Sequence, residues 1–334
     1  MSFVSPCRRR IHRRPLLLQV GALLAVAASG PSLATELAIR VSFAASADVL
    51  SDSERDRVRE HTYFAAQQWA RQIELVGSPS LEVEIAISDI ATASGASLSS
   101  AFLTRVGNRD IFEQGAASEL RTGVDPNGAS PDLRITLGLA YLRNELWFDP
   151  APSQRQAMVP LDRTDAMSVF MHEFGHALAY NGFANGQGVL PIDFGSSFDR
   201  WIQSGAPPLF SGPTAVSRFG SSPELTLNNV FHWGNSVTQA AGAAPAMLDT
   251  YVQADFDWQI SGPVPLEQQE DWHLQSAELS KAGNPLQNEL MFGPFYMRGH
   301  RYHISNLDLG VLADVGLVTG RSALFGNSFE DPGR

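Results

Sequence analysis

A single cysteine, Cys7, serves the whole 334-residue chain. One thiol cannot build a disulfide framework within a molecule, and it cannot supply the thiolate clusters that hold structural metals. Long apolar runs are missing as well. The best, "PLLLQVGALLAVAASG" from Pro15, is too short and too interrupted to span hydrocarbon comfortably, and no later run approaches that length. Positive charge is also scarce: 24 Lys and Arg stand against 35 Asp and Glu, a formal net charge of −11. A nucleic-acid partner needs basic surface to replace counterions, so this balance excludes that class.

Five of the arginines, Arg8, Arg9, Arg10, Arg13 and Arg14, precede the apolar run, and "PSLA" follows it. A basic start, a short apolar stretch and small residues at the end read as an export signal cleaved after Ala34, and imply a soluble secreted or periplasmic protein. Cys7 leaves with that segment. Because residues 1–34 carry no acid, their removal takes the net charge from −11 to −16.

The remaining chain begins with a strand pattern in which Leu37, Ile39, Val41 and Phe43 alternate with polar residues. A helix follows, opened by a Ser51–Glu54 capping box, with Val58, Ala65, Trp69 and Ile73 on one face and Gly77 as its stop. Leu81, Val83, Ile85 and Ile87 alternate as a second strand, and Leu133, Ile135 and Leu137 as a third. This order predicts an α+β fold with a mixed sheet. Regularity fades between Gln187 and Asn288 and returns at "HISNLDLGVLADVGL". There Ser305 and Asp308 form a second capping box, Ile304 can staple against Leu309, and Gly316 ends the helix.

The chemistry lies in "TDAMSVFMHEFGHALAYNGF". Met167, Phe170, Phe174 and Leu178 make a helical stripe, with Thr164 or Asp162 as cap. On such a helix His172 and His176 lie one above the other, where two imidazoles reach one tetrahedral Zn2+. Glu173, beside the first histidine, points to where a water would be activated, the place of a general base.

Together with "NELMFGPFYMRGHRYHISNLDLGVLADVGL", this segment resembles the metzincin clan of zinc endopeptidases, closest to leishmanolysin-like and related bacterial exported proteins. The resemblance covers Thr164–Phe183 and Trp272–Gly316, and the first lobe by element order alone. It implies a zincin-type architecture: a signal peptide 1–34, an N-terminal lobe 35–186 carrying the active helix, a C-terminal lobe 187–320 and a short tail 321–334. It further implies a methionine turn at Met291, an edge strand that aligns an extended peptide substrate, a closing helix over Ile304–Gly316 and a third histidine ligand after a long insertion. In the clan a glycine stands three residues beyond the second histidine; here it is Ala179, and the turn falls to Asn181 and Gly182.

Two histidines compete for the third ligand. His273 precedes Met291 by 18 residues, in text that resembles the ligand-to-turn segment of the bacterial relatives, and is favoured. His232, 56 residues after His176, is the alternative. His61 reads as a solvated group on the first helix, and His300 and His303 follow the methionine turn, outside the expected ligand order. Tyr296 and Tyr302 are candidates for oxyanion donors, and Trp201, Trp233, Trp258 and Trp272 for cover beneath long loops. The ligand set is then His172, His176 and His273, with Glu173 as base. The competing reading is an exported zinc-binding protein that keeps the frame without turnover.

Overall fold

The structure, a computed structural model, describes residues 37–234, 286–293 and 296–319, which fall within the unit Thr35–Arg334. The proposed signal segment, the tail and His273 lie outside the described residues. Strand β1 (Ala38–Phe43) leads to helix α1 (Asp52–Ala70), then to β2 (Ser80–Ser88), β3 (Ala93–Ser97), β4 (Ser100–Val106) and β5 (Arg109–Gln114). Helix α2 (Gly115–Thr122), β6 (Leu133–Gly138), α3 (Leu139–Asn144), β7 (Leu146–Trp147), β8 (Thr164–Asp165) and α4 (Ala166–Leu178) follow. Beyond them come β9 (Phe194–Ser196), β10 (Ile202–Gln203), β11 (Leu209–Phe210), α5 (Pro213–Phe219), β12 (Leu225–Thr226), β13 (Asn229–Trp233) and α6 (Asn306–Val315). The fold is α+β. No described helix is long and apolar enough to cross a membrane.

The main sheet has the order β1-β2-β6-β3. β1, β2 and β6 run parallel, and β3 is an antiparallel edge strand on β6. The period-2 patterns explain its two faces. Leu81, Val83, Ile85, Leu133, Ile135 and Leu137 are buried on the inner face. On the outer face Arg40 stands opposite Glu82 and Arg134 opposite Glu84, and each pair is in salt-bridge contact. Such cross-strand pairs fix register more than they add stability. β4, β5 and β9 form a second, three-stranded sheet.

Both capping boxes form as the sequence predicts, at Ser51–Glu54 on α1 and Ser305–Asp308 on α6. α1 stops earlier than expected. It ends at Ala70, and Ile73 bridges to Thr319, so Gly77 (φ 69°) serves a later turn. The helix carrying His172 is capped by Asp165 rather than Thr164 or Asp162; Asp165 accepts the Ser168 backbone N–H at 3.2 Å.

Twelve of the thirteen residues of α4 are buried, and only His176 is half-open. A helix apolar on all sides is a core helix, and its neighbours approach closely. Trp69 of α1 donates its indole N–H to the Met171 carbonyl at 2.8 Å. Gly95 of β3 lies so near that a Cβ there would sit 2.3 Å from the Glu173 carbonyl oxygen. Gly95→Ala is therefore expected to destabilise the chain by ~1–3 kcal/mol through overpacking. A lowered urea midpoint at unchanged m-value would show it, and an unchanged midpoint would mean that β3 moves aside freely.

Candidate metal centre

Three imidazoles meet above α4. The Nε2 atoms of His172 and His176 lie 3.0 Å apart, and His232 Nε2 lies 3.1 Å from the first and 3.0 Å from the second. His172 and His176 share a helix face through their four-residue spacing. His232 arrives on β13, whose end is joined to the methionine segment. Trp233 N–H donates to the Met291 carbonyl at 2.8 Å, and Gly293 N–H to the Trp233 carbonyl at 2.9 Å. That pairing carries His232 to the cluster although 59 residues separate it from Met291. His273, which the sequence favours, is not among the described residues, and the place beside His172 and His176 is filled by the alternative, His232.

Contacts behind the rings set their tautomers. His172 Nδ1–H donates to the Leu290 carbonyl at 2.7 Å, and His176 Nδ1–H to the Tyr180 carbonyl at 2.7 Å. A proton fixed on Nδ1 leaves the Nε2 lone pair free to bind a metal. Lone pairs meeting at this range repel unless a cation sits among them. A tetrahedral ion about 2.0–2.1 Å from each nitrogen would separate them by roughly 3.3–3.4 Å, so the cluster matches that size to a few tenths of an ångström. The residues fit zinc. All three histidines are held in the neutral, ligand-ready form: burial pushes His172 down to about 3 and His176 to about 4, and lowers His232 well below the ordinary value, with the neighbouring imidazoles adding to His172 and His232.

Glu173 lies beside His172 and is 5 % exposed. Burial raises its carboxyl to about 8, and a hydrogen bond from the Gly95 backbone works in the opposite direction. A cation at the histidines would draw it back toward the ionised form. Met291 is fully buried against the same helix; a Cβ on Gly175 would meet its sulfur at 2.5 Å. A glycine at 175 is thus what lets the Met291 side chain pack directly on the helix that carries His172 and His176.

The two tyrosines pack behind the cluster's first histidine. The Tyr296 hydroxyl contacts the Leu290 carbonyl and lies 2.9 Å from His172 Nδ1, on the ring edge away from Nε2. Tyr302 stacks on Tyr296 at 4.2 Å, and its hydroxyl accepts the Met297 N–H at 3.0 Å. Tyr296 braces His172 directly, and Tyr302 braces Tyr296. His61 is a clear correction. It is 1 % exposed, bonded through Nδ1 to the Arg57 carbonyl at 2.9 Å and set edge-on to Phe148, because the Trp147–Asp149 segment covers that side of α1. His300 packs on Tyr302, and His303 Nδ1 lies 3.5 Å from the Arg155 guanidinium, both away from the cluster. Trp233 is buried against Tyr180 and Phe210, whereas Trp258 and Trp272 lie outside the described residues.

After Leu178 the chain leaves the helix without a left-handed residue. Ala179 sits at φ −143°, and Gly182 is needed for closeness to the Asp199 carboxylate rather than for a left-handed turn. Asp199 accepts the Phe183 N–H at 2.7 Å and the Ala184 N–H at 3.2 Å, fixing the exit. A cleft of about 250 Å³ opens there, lined by Ser97, Leu98, Phe112, Asn181, Phe183 and Ser196. It joins the end of β3 to the end of α4.

Comparisons of the chain with protein-family models, with curated proteins and with solved structures find no match.

The neutral histidines carry a consequence for metal-free protein. Unfolded, His232 takes up a proton near 6.5; folded, it resists to well below that value, so the unfolded state binds more protons as pH falls through 6.5. Its presence costs stability on the acid side, by up to about 1.4 kcal/mol per pH unit. With chelator present, urea unfolding of His232→Ala should therefore gain on wild type between pH 7 and pH 5. A gap that stays constant with pH would show that His232 titrates alike folded and unfolded.

Proposed function

We propose that the chain is an exported zinc-dependent endopeptidase of zincin type, with a metzincin-like layout. The observation that carries this reading is the convergence of His172, His176 and His232 on one point, with Glu173 beside it and the edge strand β3 against Glu173. Three nitrogen ligands leave a fourth position open, the arrangement of catalytic rather than structural zinc. When bound, zinc would polarise a water and the scissile carbonyl. Glu173 takes the proton of the attacking water and later delivers it to the leaving amine nitrogen. The Gly95 N–H holds the Glu173 carboxyl in place during both transfers. The free edge of β3 offers backbone donors and acceptors to an extended peptide, and the cleft at Phe183 receives one of its side chains. The separation of β3 and α4 by a single glycine contact keeps peptide and base close.

Zinc content and peptide cleavage measured together test this. Wild type and His273→Ala should each hold one zinc per chain, and His232→Ala should lose it. Glu173→Gln should keep zinc and lose ~10²–10⁴-fold in cleavage rate. A wild type that holds one zinc and cleaves no peptide would leave a binding protein on the same frame. Zinc lost by His273→Ala and kept by His232→Ala would overturn the ligand assignment.

A further inference from the structure

A second group of side chains converges on the opposite chemistry, oxygen alone. Glu119 lies in the last turn of α2, Asp125 in the loop after it and Asp132 just before β6, and one carboxylate oxygen from each comes within 4.8 Å of the others. Glu119 is 2 % exposed and Asp132 0 %. Each uses one oxygen on backbone: Glu119 Oε1 accepts the Ser80 N–H at 3.0 Å and Asp132 Oδ2 the Glu82 N–H at 2.7 Å. The other oxygens, Glu119 Oε2 and Asp132 Oδ1, are buried without a hydrogen-bond partner. Glu82, whose backbone N–H Asp132 accepts, also has its Oε2 buried and unpartnered. Arg40 reaches only Glu82 Oε1, at 2.6 Å, and is itself mostly exposed.

Buried acceptors with no donor are costly, and several that share one space call for a cation or a proton. We propose that Glu119, Asp125 and Asp132, with Glu82 beside them, form a calcium site that ties the end of α2 to the starts of β2 and β6. The donor set is carboxylate oxygen only, the hard ligand that calcium takes in sixes to eights and zinc does not prefer. An irregular loop, Gly123–Asp132, suits calcium better than magnesium, which demands near-ideal octahedral geometry and keeps its waters. Asp125 Oδ1 is already engaged with the Asn127 and Gly128 N–H groups at 2.8 and 2.6 Å, so its second oxygen is the one offered to the ion. Without a cation these carboxyls are strained electrostatically: burial first, with Glu119 and Glu82 adding, raises Asp132, and burial with Asp125 and Glu82 adding raises Glu119. This site is independent of the zinc reading and stands whether or not the histidines bind metal.

The experiment is equilibrium dialysis of the full chain, stripped on chelating resin and reloaded with zinc, against calcium chloride from the micromolar to the millimolar range. Thermal unfolding is followed in parallel with calcium and with magnesium. Wild type should take up one calcium per chain and gain roughly 5 °C in Tm at a hundredfold excess over Kd, with a smaller gain from magnesium. Asp125→Asn retains the side-chain oxygen that holds the loop, so the fold survives, and it should weaken calcium about tenfold through lost charge. Asp132→Asn should abolish uptake and raise the Tm of calcium-free protein, because a buried repulsion is gone. Absence of uptake by wild type at millimolar calcium would sink the proposal and leave carboxyls sharing protons. Equal uptake by wild type and both variants would place the ion elsewhere and sink it as well.

Discussion

A helix without a wet side is the constraint on which the rest of this structure depends. α4 is buried along nearly its whole length, yet it carries two histidines and a glutamate. Polar groups in that position need partners, and different elements supply them. The methionine segment gives the Leu290 carbonyl to His172, the helix exit gives the Tyr180 carbonyl to His176, and the edge strand gives the Gly95 N–H to Glu173. Each bond that relieves a burial cost also aims a side chain, so stability and site geometry have the same origin here.

The start of α4 is handled in the same way by charge. Asp165, its cap, is fully buried and paired with Arg155 at 3.1 Å, and Arg155 also donates to the Tyr302 carbonyl at 3.1 Å. Arg155 adopts φ 52° to do so. A bulky residue in the left-handed region stores strain that only a tightly fitted surrounding holds. Arg301, paired with Asp149 at 2.6 Å, adds a second link between the segment after the methionine turn and the loops that precede α4. The start of the helix is thereby anchored to chain that lies more than a hundred residues away.

Local signals were readable and distant pairings were not. The alternation in β1, β2 and β6, the two capping boxes and the helix at His172 all rest on residues a few positions apart, where periodicity and capping chemistry speak directly. His232 depends on a strand that meets Met291, 59 residues on in sequence, and β12, its partner, is two residues long. No period exists in two residues, so similarity of local spelling drew attention to His273 instead. His61 misled for a related reason: its charged neighbours on α1 do point outward, but the Trp147–Asp149 segment folds over its own face of the helix. The acidic cluster was invisible because Glu82 and Glu119 occupy ordinary places on a strand and a helix, and Asp125 and Asp132 read as turn residues. Only the fold brings their oxygens together.

Tyr180 serves two distant parts of the chain. Its carbonyl orients His176, and its hydroxyl donates to Asp308 in the first turn of α6 at 2.7 Å. One residue thus couples the His176 ring to the first turn of α6, 128 residues further along the chain. Without Asp308 the fully buried Tyr180 hydroxyl at the helix exit would lose its acceptor, a costly state for a buried donor. The geometry behind His176 and the docking of α6 therefore share one residue, and a change at Tyr180 reaches both.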